Sequence, residues 1–343
     1  MHGNYGGGAL DATRTAGHLK EERPLLSVED LVMHYQVRAG DIAAVDGITF
    51  SLEHGRSLGL VVESGCGKTS IAICLLRLLP DNAQIKGGSV YFDNVDLVAL
   101  PEEEMRQYRW DRISMVFQAA MNSLNPVHRV GDQIIEAMQA HWDAITVAEA
   151  RERVVDLFDL VGLEPSFVDR YPHEFSGGMR QRAVIAMALS CNPDIIIADE
   201  PTTALDVIVQ DRVLRKLEEI QRRLDMALIY ISHDIAVIAE VSDRIGVMYA
   251  GHLVEMADSV DIFERPLHPY TYALIGAFPS IKGPRRVLKT LPGEPPDLLH
   301  PPSGCRFHPR CDRALDVCSE AQPAFRDYGG RHLAACWNPV EVD

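Results

Sequence analysis

Arg56–Ser70 reads RSLGLVVESGCGKTS. The run Arg56–Val62 is short and apolar, which suits a strand, and the residues from Ile71 to Leu79 carry helical spacing up to Pro80. Between them lies a glycine-rich loop. Strand, glycine loop and helix in this order match the phosphate-binding pattern G-x-x-x-x-G-K-[ST] at Val62–Thr69. In such a loop, consecutive backbone N–H groups wrap phosphate oxygens, and the helix N-terminus adds partial positive charge. Ser64, Gly65, Cys66, Gly67 and Ser70 form the cradle in this reading, Lys68 reaches the β- and γ-phosphates, and Thr69 ligates Mg²⁺.

One position departs from the pattern: Val62 stands where the first glycine is expected. A left-handed backbone there would cost a β-branched residue about 1–3 kcal/mol. With negative φ, valine costs little beyond crowding near the phosphates. Nucleotide binding is expected to survive.

Two further stretches bear on the same chemistry. Ile195–Glu200, IIIADE, is an apolar run ending in two carboxylates, which a parallel sheet delivers to its C-terminal edge beside the loop. Asp199 is then placed to hold Mg²⁺ and Glu200 to act as general base on water. Taken alone, such a run is better explained by a solvated strand end. Glu174–Arg182, EFSGGMRQR, sets Ser176 as a helix N-cap, with Gly177 and Gly178 allowing close backbone approach. It is either a plain cap or a second anion site.

The rest of the chain bounds the class. The 343 residues suit about two domains. Hydrophobic residues at 47% and charged residues at 24% are the balance of a globular protein. The formal net charge of −16 disfavours nucleic acid as a partner. No apolar run reaches the roughly 18–20 residues that span a bilayer. The first ten residues lack the pattern of a secretory signal. A soluble, cytoplasmic chain is expected, reaching any membrane through a partner. Residues 1–24 read as a flexible tail, and residues 119–191 as a helical insert with apolar spacing at Val130–Ala140, Val147–Val161 and Gly177–Leu189. Strands are expected at Leu25–Tyr35, Ala43–Gly55, Gly87–Leu97, Arg112–Phe117, Ala227–Ser232 and Arg244–Tyr249, and a long helix at Val207–Leu224. Beyond Glu264 prolines recur, excluding a long helix or central strand. This stretch links the core to a small unit with Cys305, Cys311, Cys318 and Cys336.

Taken in order, ESGCGKT, the Gln118 of VFQ, FSGGMRQR, IIIADEPTTALD and the ISHD of Ile231–Asp234 make the chain resemble the ATP-binding subunit of ABC transporters over about Leu25–Phe263. The resemblance implies an α/β fold: a RecA-like P-loop core with an antiparallel β subdomain and a helical subdomain. It implies ATP and Mg²⁺, and a dimer of cassettes in which Ser176, Gly177 and Gly178 face the partner's nucleotide. Gln118 would contact Mg²⁺ or the attacking water and couple the site to a membrane subunit. Asp206 would line the dimer interface, His233 would hold the γ-phosphate, and Tyr35 would stack on adenine.

SLNPV at Ser123–Val127, ERPLHPYTYAL at Glu264–Leu274 and the tail from Leu291 to Cys311 resemble one branch more closely: the D-type ATPases of oligopeptide and dipeptide importers, which also serve nickel. That branch implies residues 264–343 as a C-terminal extension after a nucleotide-binding domain of residues 25–263. It implies a second, different cassette as partner, two permease subunits, an extracytoplasmic solute-binding protein, and a place on the cytoplasmic face of the membrane. The spacing C-x5-C-x6-C-x17-C suits four thiolates on one centre, zinc as well as iron–sulfur, with disulfides a third reading. The resemblance implies a [4Fe–4S] cluster. His308 and His332 read as surface residues. Rival readings are import of another solute, a soluble ABC ATPase without a transporter, and a non-hydrolysing binding module.

Overall fold

The apolar runs do become strands. β3 (Ser57–Val62), β7 (Ile195–Asp199) and β9 (Arg244–Tyr249) are buried at every position, as strands covered on both faces must be. In the computed structural model, which describes residues 23–62, 68–118, 123–203, 205–277 and 293–341, they lie in one sheet. The remaining strands in chain order are β1 (Leu26–Val37), β2 (Gly40–Leu52), β4 (Ala83–Phe92), β5 (Val95–Asp96), β6 (Ile113–Val116), β8 (Ala227–Ser232), β10 (His252–Asp258), β11 (Arg326–Asp327) and β12 (Leu333–Ala334). The main sheet runs β11-β12-β10-β9-β3-β8-β7-β6, parallel from β6 to β9 and antiparallel beyond.

The second sheet, β2-β1-β4-β5, is antiparallel, and it closes a core of Leu31, Ile48, Phe92, Leu60 and Ile197 with the main sheet. Between the sheets runs α1 (Lys68–Leu75). The sequence carries helical spacing on to Leu79, but the helix ends earlier. Arg77 is left-handed at φ 49°, its N–H bonds Cys74 O at 3.0 Å, and Leu78 N–H bonds Ile73 O at 2.8 Å. This is a Schellman cap, and it stops the helix before Pro80 can.

The other helices are α2 (Glu102–Tyr108), α3 (Val130–Gln139), α4 (Val147–Leu160), α5 (Gly177–Ala188), α6 (Val207–Leu224), α7 (Ile235–Val241), α8 (Ser259–Glu264), α9 (Pro269–Gly276) and the short α10 (Val317–Glu320). Residues 123–191 hold α3, α4 and α5 and no strand; α3 and α4 carry the 3.6-residue periodicity of a one-sided apolar face, while α5 is buried more evenly around its axis. Thr146 and Glu149 form a capping box that starts α4. α7 packs directly on β3 because Gly59 has no side chain: a Cβ there would meet Ile238 Cγ2 at 2.1 Å. Among the described residues no helix is long and apolar enough to cross a membrane.

The C-terminal part departs from the sequence reading. It is more than a linked unit, because β12 pairs with β10 (Glu255 with Ala334, Met256 with Leu333) and so extends the main sheet. Three side chains pin it. The Arg306 guanidinium bonds Ala250 O and the Asp46 carboxylate on β2. Phe307 packs on Tyr249 and Tyr270, with ring centroids 5.1 and 5.4 Å away. Glu255, fully buried, accepts from Leu267 N–H at 2.7 Å and His268 N–H at 2.8 Å, and its Oε1 lies 2.7 Å from His332 Nε2. His332 is therefore buried, contrary to its reading as a surface residue. A buried carboxylate needs such partners. Burial also pushes the neighbouring His268 down to about 4.

Replacing the imidazole by a methyl group in His332→Ala removes one partner from the buried Glu255. Stability is expected to fall by about 1–3 kcal/mol, read as a lower urea midpoint with an unchanged slope. A midpoint equal to that of the parent chain would show that Glu255 does not depend on His332.

Candidate nucleotide site

Parallel register decides what meets at the site. Asp199 on β7 pairs with Ile231 on β8, and Val61 on β3 pairs with Ser232. The strands thus end level, and the next residues of each chain segment emerge on one edge: Gln118 after β6, Glu200 after β7, His233 after β8 and α1 after β3. This is where ligands bind in parallel α/β sheets.

Thr69, in the first turn of α1, donates its hydroxyl to Asp199 Oδ2 at 2.8 Å. A hydroxyl and a carboxylate are hard oxygen donors of the kind Mg²⁺ takes, usually with phosphate oxygens and water completing the shell. The donor set therefore fits Mg²⁺. Gln118 turns its amide nitrogen towards Glu200 Oε2 at 3.3 Å. Glu200 is 6% exposed, and its Oε1 lies 2.9 Å from His233 Nδ1. Its backbone is left-handed at φ 46°, a conformation that costs a non-glycine residue about 1–3 kcal/mol. The N–H bond from Glu200 to Ile231 O at 2.8 Å helps hold it. Tyr35 on β1 is half-buried, and its hydroxyl lies 3.2 Å from Ser70 Oγ, so the aromatic ring stands beside α1.

Ser64, Gly65, Cys66 and Gly67 lie outside the described residues, and Lys68 is the first residue of α1. Val62 is the last residue of β3, paired with Met248, fully buried and absent from the left-handed region. Of the two readings of this departure from the pattern, backbone strain is excluded: valine here is an ordinary core residue.

The other expected residues sit elsewhere. Ser176 caps α5, accepting from Met179 N–H at 3.3 Å. Gly177 and Gly178 open that helix, and a Cβ on Gly178 would meet Val209 Cγ1 at 2.5 Å, so α5 starts hard against the first turn of α6. Asp206 caps α6 through Ile208 N–H at 3.1 Å and Val209 N–H at 3.0 Å. Val207 and Ile208 beside it are 81% and 66% exposed, an apolar step on the surface. Sequence reading missed Thr203, whose hydroxyl donates to Glu200 Oε2 at 2.8 Å. A hydroxyl three residues after a carboxylate is the signal that was there to read.

Cys305, Cys311, Cys318 and Cys336 are free thiols, which removes the disulfide reading. Burial pushes the Cys336 thiol up to about 11, with further upward pushes from the other three cysteines. Cys305 and Cys311 are likewise raised, first by burial and further by neighbouring cysteines. Backbone N–H groups point at the sulfurs: Asn338 to Cys336 and Leu315 to Cys318, both at 3.4 Å. Cys311 receives Arg313 and Cys305 receives Phe307 and His308 in the same way. Among the described residues, however, no three His, Cys, Asp or Glu side chains group tightly enough to hold a metal ion. His308 bonds the Cys305 carbonyl through Nδ1 at 2.9 Å.

This fold and edge define a P-loop nucleotide-binding cassette. The profile of the ABC transporter family matches residues 45–203, and that of the oligopeptide/dipeptide transporter C-terminal region matches residues 254–318. An oligopeptide transport ATP-binding protein, OppD, of Escherichia coli (strain K12) is 45% identical over 92% of this chain and 94% of its own length. A dipeptide transport ATP-binding protein, DppD, of Bacillus subtilis (strain 168) is 44% identical over 91% and 94%. Among solved structures, the dimeric post-hydrolysis state of an ATP-binding cassette bound to ADP and Pi superposes with a TM-score of 0.61 at 26% identity, covering 68% of this chain and 98% of that one. The chain belongs to the ABC transporter ATPases, in the branch carrying the oligopeptide/dipeptide C-terminal region. It is an ATP hydrolase of that family.

Because Val62 carries no strain, Val62→Gly is expected to leave ATP affinity unchanged within a factor of about two. It should cost about 2–4 kcal/mol of stability through the lost buried side chain and the added backbone freedom. Titration with ATP and urea unfolding of the same preparations check both, and a tenfold gain in affinity would restore the strain reading.

Proposed function

We propose that this chain is the energising subunit of an importer of di- and oligopeptides, working at the cytoplasmic face of the membrane against two permease subunits. A second, homologous cassette completes the ATPase dimer, and a solute-binding protein outside delivers the cargo. The supporting observation is the placement of Glu200, facing His233 and Gln118 beside the Thr69–Asp199 pair, in a chain so similar to peptide-transport ATPases. We divide it into a nucleotide-binding domain of residues 25–263 and an extension of residues 264–343.

Phosphoryl transfer to water then proceeds as follows. Residues 64–67 and Lys68 hold the phosphates, and Tyr35 stacks on the adenine. Thr69, Asp199 and Gln118 would hold Mg²⁺, which would supply neutralisation of charge on the phosphate oxygens. Glu200 orients the attacking water and accepts its proton, while His233 holds the γ-phosphate. Ser176, Gly177 and Gly178 reach the partner's nucleotide through the open N-terminus of α5. Asp206 and the exposed Val207 and Ile208 meet the partner cassette. No step calls on nucleic acid.

For the tail we propose a [4Fe–4S] cluster on Cys305, Cys311, Cys318 and Cys336. The thiols of Cys305, Cys311 and Cys336 are each pushed up in part by neighbouring cysteines, and N–H groups aimed at sulfur favour the thiolate that a metal requires. The four would hold the extension together. Iron and sulfide analysis of anaerobically purified chain should find both, and Cys311→Ser should lose them. Zinc without iron in the parent chain would favour the four-thiolate zinc alternative.

Glu200→Gln is expected to lower turnover by at least about a hundredfold while retaining MgATP binding. The assay is hydrolysis by the chain purified from its own membranes, with and without peptides and binding protein. Peptide-stimulated hydrolysis with copurified permeases supports the importer. Turnover persisting in Glu200→Gln would remove Glu200 from its role. Stimulation by another solute in place of peptides would change the cargo and leave the ATPase reading intact.

A further inference from the structure

Glu200 is held on both carboxylate oxygens. His233 Nδ1 stands 2.9 Å from Oε1, and Gln118 reaches Oε2 at 3.3 Å. The Thr203 hydroxyl donates to the same Oε2 at 2.8 Å. These three partners differ in what they are attached to. Gln118 and His233 come from the ends of β6 and β8, whereas Thr203 sits on the turn that Glu200 itself begins. That turn is closed by Thr203 N–H to Glu200 O at 3.2 Å. Pro201 within it has a fixed φ, and Asp206 anchors the far end by capping α6. The backbone that carries the hydroxyl is thus held beside that of Glu200 by the turn itself, independently of the other two segments.

Burial does not account for this bond. Thr203 is exposed, so water satisfies its hydroxyl equally well, and nothing forces it inward. The group that gains is Glu200, which is buried. A hydroxyl donating to one carboxylate oxygen fixes the rotation of the carboxylate plane.

We propose that Thr203 is a positioning residue for hydrolysis: its hydroxyl holds the Glu200 carboxylate in the orientation from which it accepts the proton of the attacking water. This rests on Glu200 being the base. The contact works through Glu200 and does not touch the nucleotide, so it acts on turnover and leaves binding alone.

Thr203→Val keeps the shape and deletes the donor, and Thr203→Ser restores it. Hydrolysis is measured on the full chain as it purifies, with MgATP affinity measured on the same samples. Thr203→Val is expected to lower kcat about tenfold, the size of one hydrogen bond to a charged group. MgATP affinity stays within about twofold, so the loss falls on kcat alone. Thr203→Ser returns kcat to the parent value. An unchanged kcat in Thr203→Val overturns the proposal. So does loss of MgATP binding in that variant, or equal impairment in Thr203→Ser, since either marks a packing role. Glu200→Gln separates the two levels: if it still turns over, the base assignment fails. If it is dead while Thr203→Val is normal, only the role of Thr203 fails.

Discussion

The parallel pairing of β3 with β8, and of β8 with β7, is the constraint on which the molecule depends. It is a matter of register. With Val61 opposite Ser232 and Ile231 opposite Asp199, three strands from distant parts of the chain finish on one line. A slip of one residue would turn every side chain to the other face of the sheet and separate the carboxylates from Thr69. The register is held by apolar side chains buried on both faces and by α7 lying in the space that Gly59 leaves. Chemistry at the edge is therefore set by packing in the middle.

The extension is bound into this arrangement by polar contacts of an unusual kind for a tail. Arg306 reaches across to Asp46 on the antiparallel sheet, and Glu255 takes donors from the loop before α9 as well as the His332 ring. Buried charges of this type are weak sources of net stability but costly to leave unmatched. They specify how the tail sits. Cys311 and Cys318 then lie between two points fixed to the core, Arg306–Phe307 and β12, with Cys305 and Cys336 just outside them.

Much of this was legible in the sequence, for definite reasons. The buried parallel strands announce themselves because burial on both faces demands continuous apolar runs, as in Ile195–Ala198. The helical layer shows through its periodicity, and the nucleotide edge through residues whose spacing the chemistry dictates. What escaped has a physical cause in each case. The end of α1 is set by a left-handed Arg77, a residue type that does not advertise such a backbone. β12 is two residues long and is defined by its neighbours β10 and β11 rather than by any pattern of its own. His332 looks like any surface histidine until Glu255, 77 residues away, is placed beside it. Val62 read as a possible defect because a motif pattern says nothing about which side of the strand's end a residue falls on.

The left-handed backbone of Glu200 has a consequence for how such a chain can drift. Glycine adopts that conformation without penalty, and asparagine with little. Stability and turnover therefore pull position 200 in opposite directions. A cassette released from the need to hydrolyse ATP would gain robustness by exchanging this glutamate, and the exchange would be hard to reverse once neighbouring residues had come to rely on the added margin. Retaining glutamate at a left-handed position that favours a residue without a side chain marks the chain as one still selected for work.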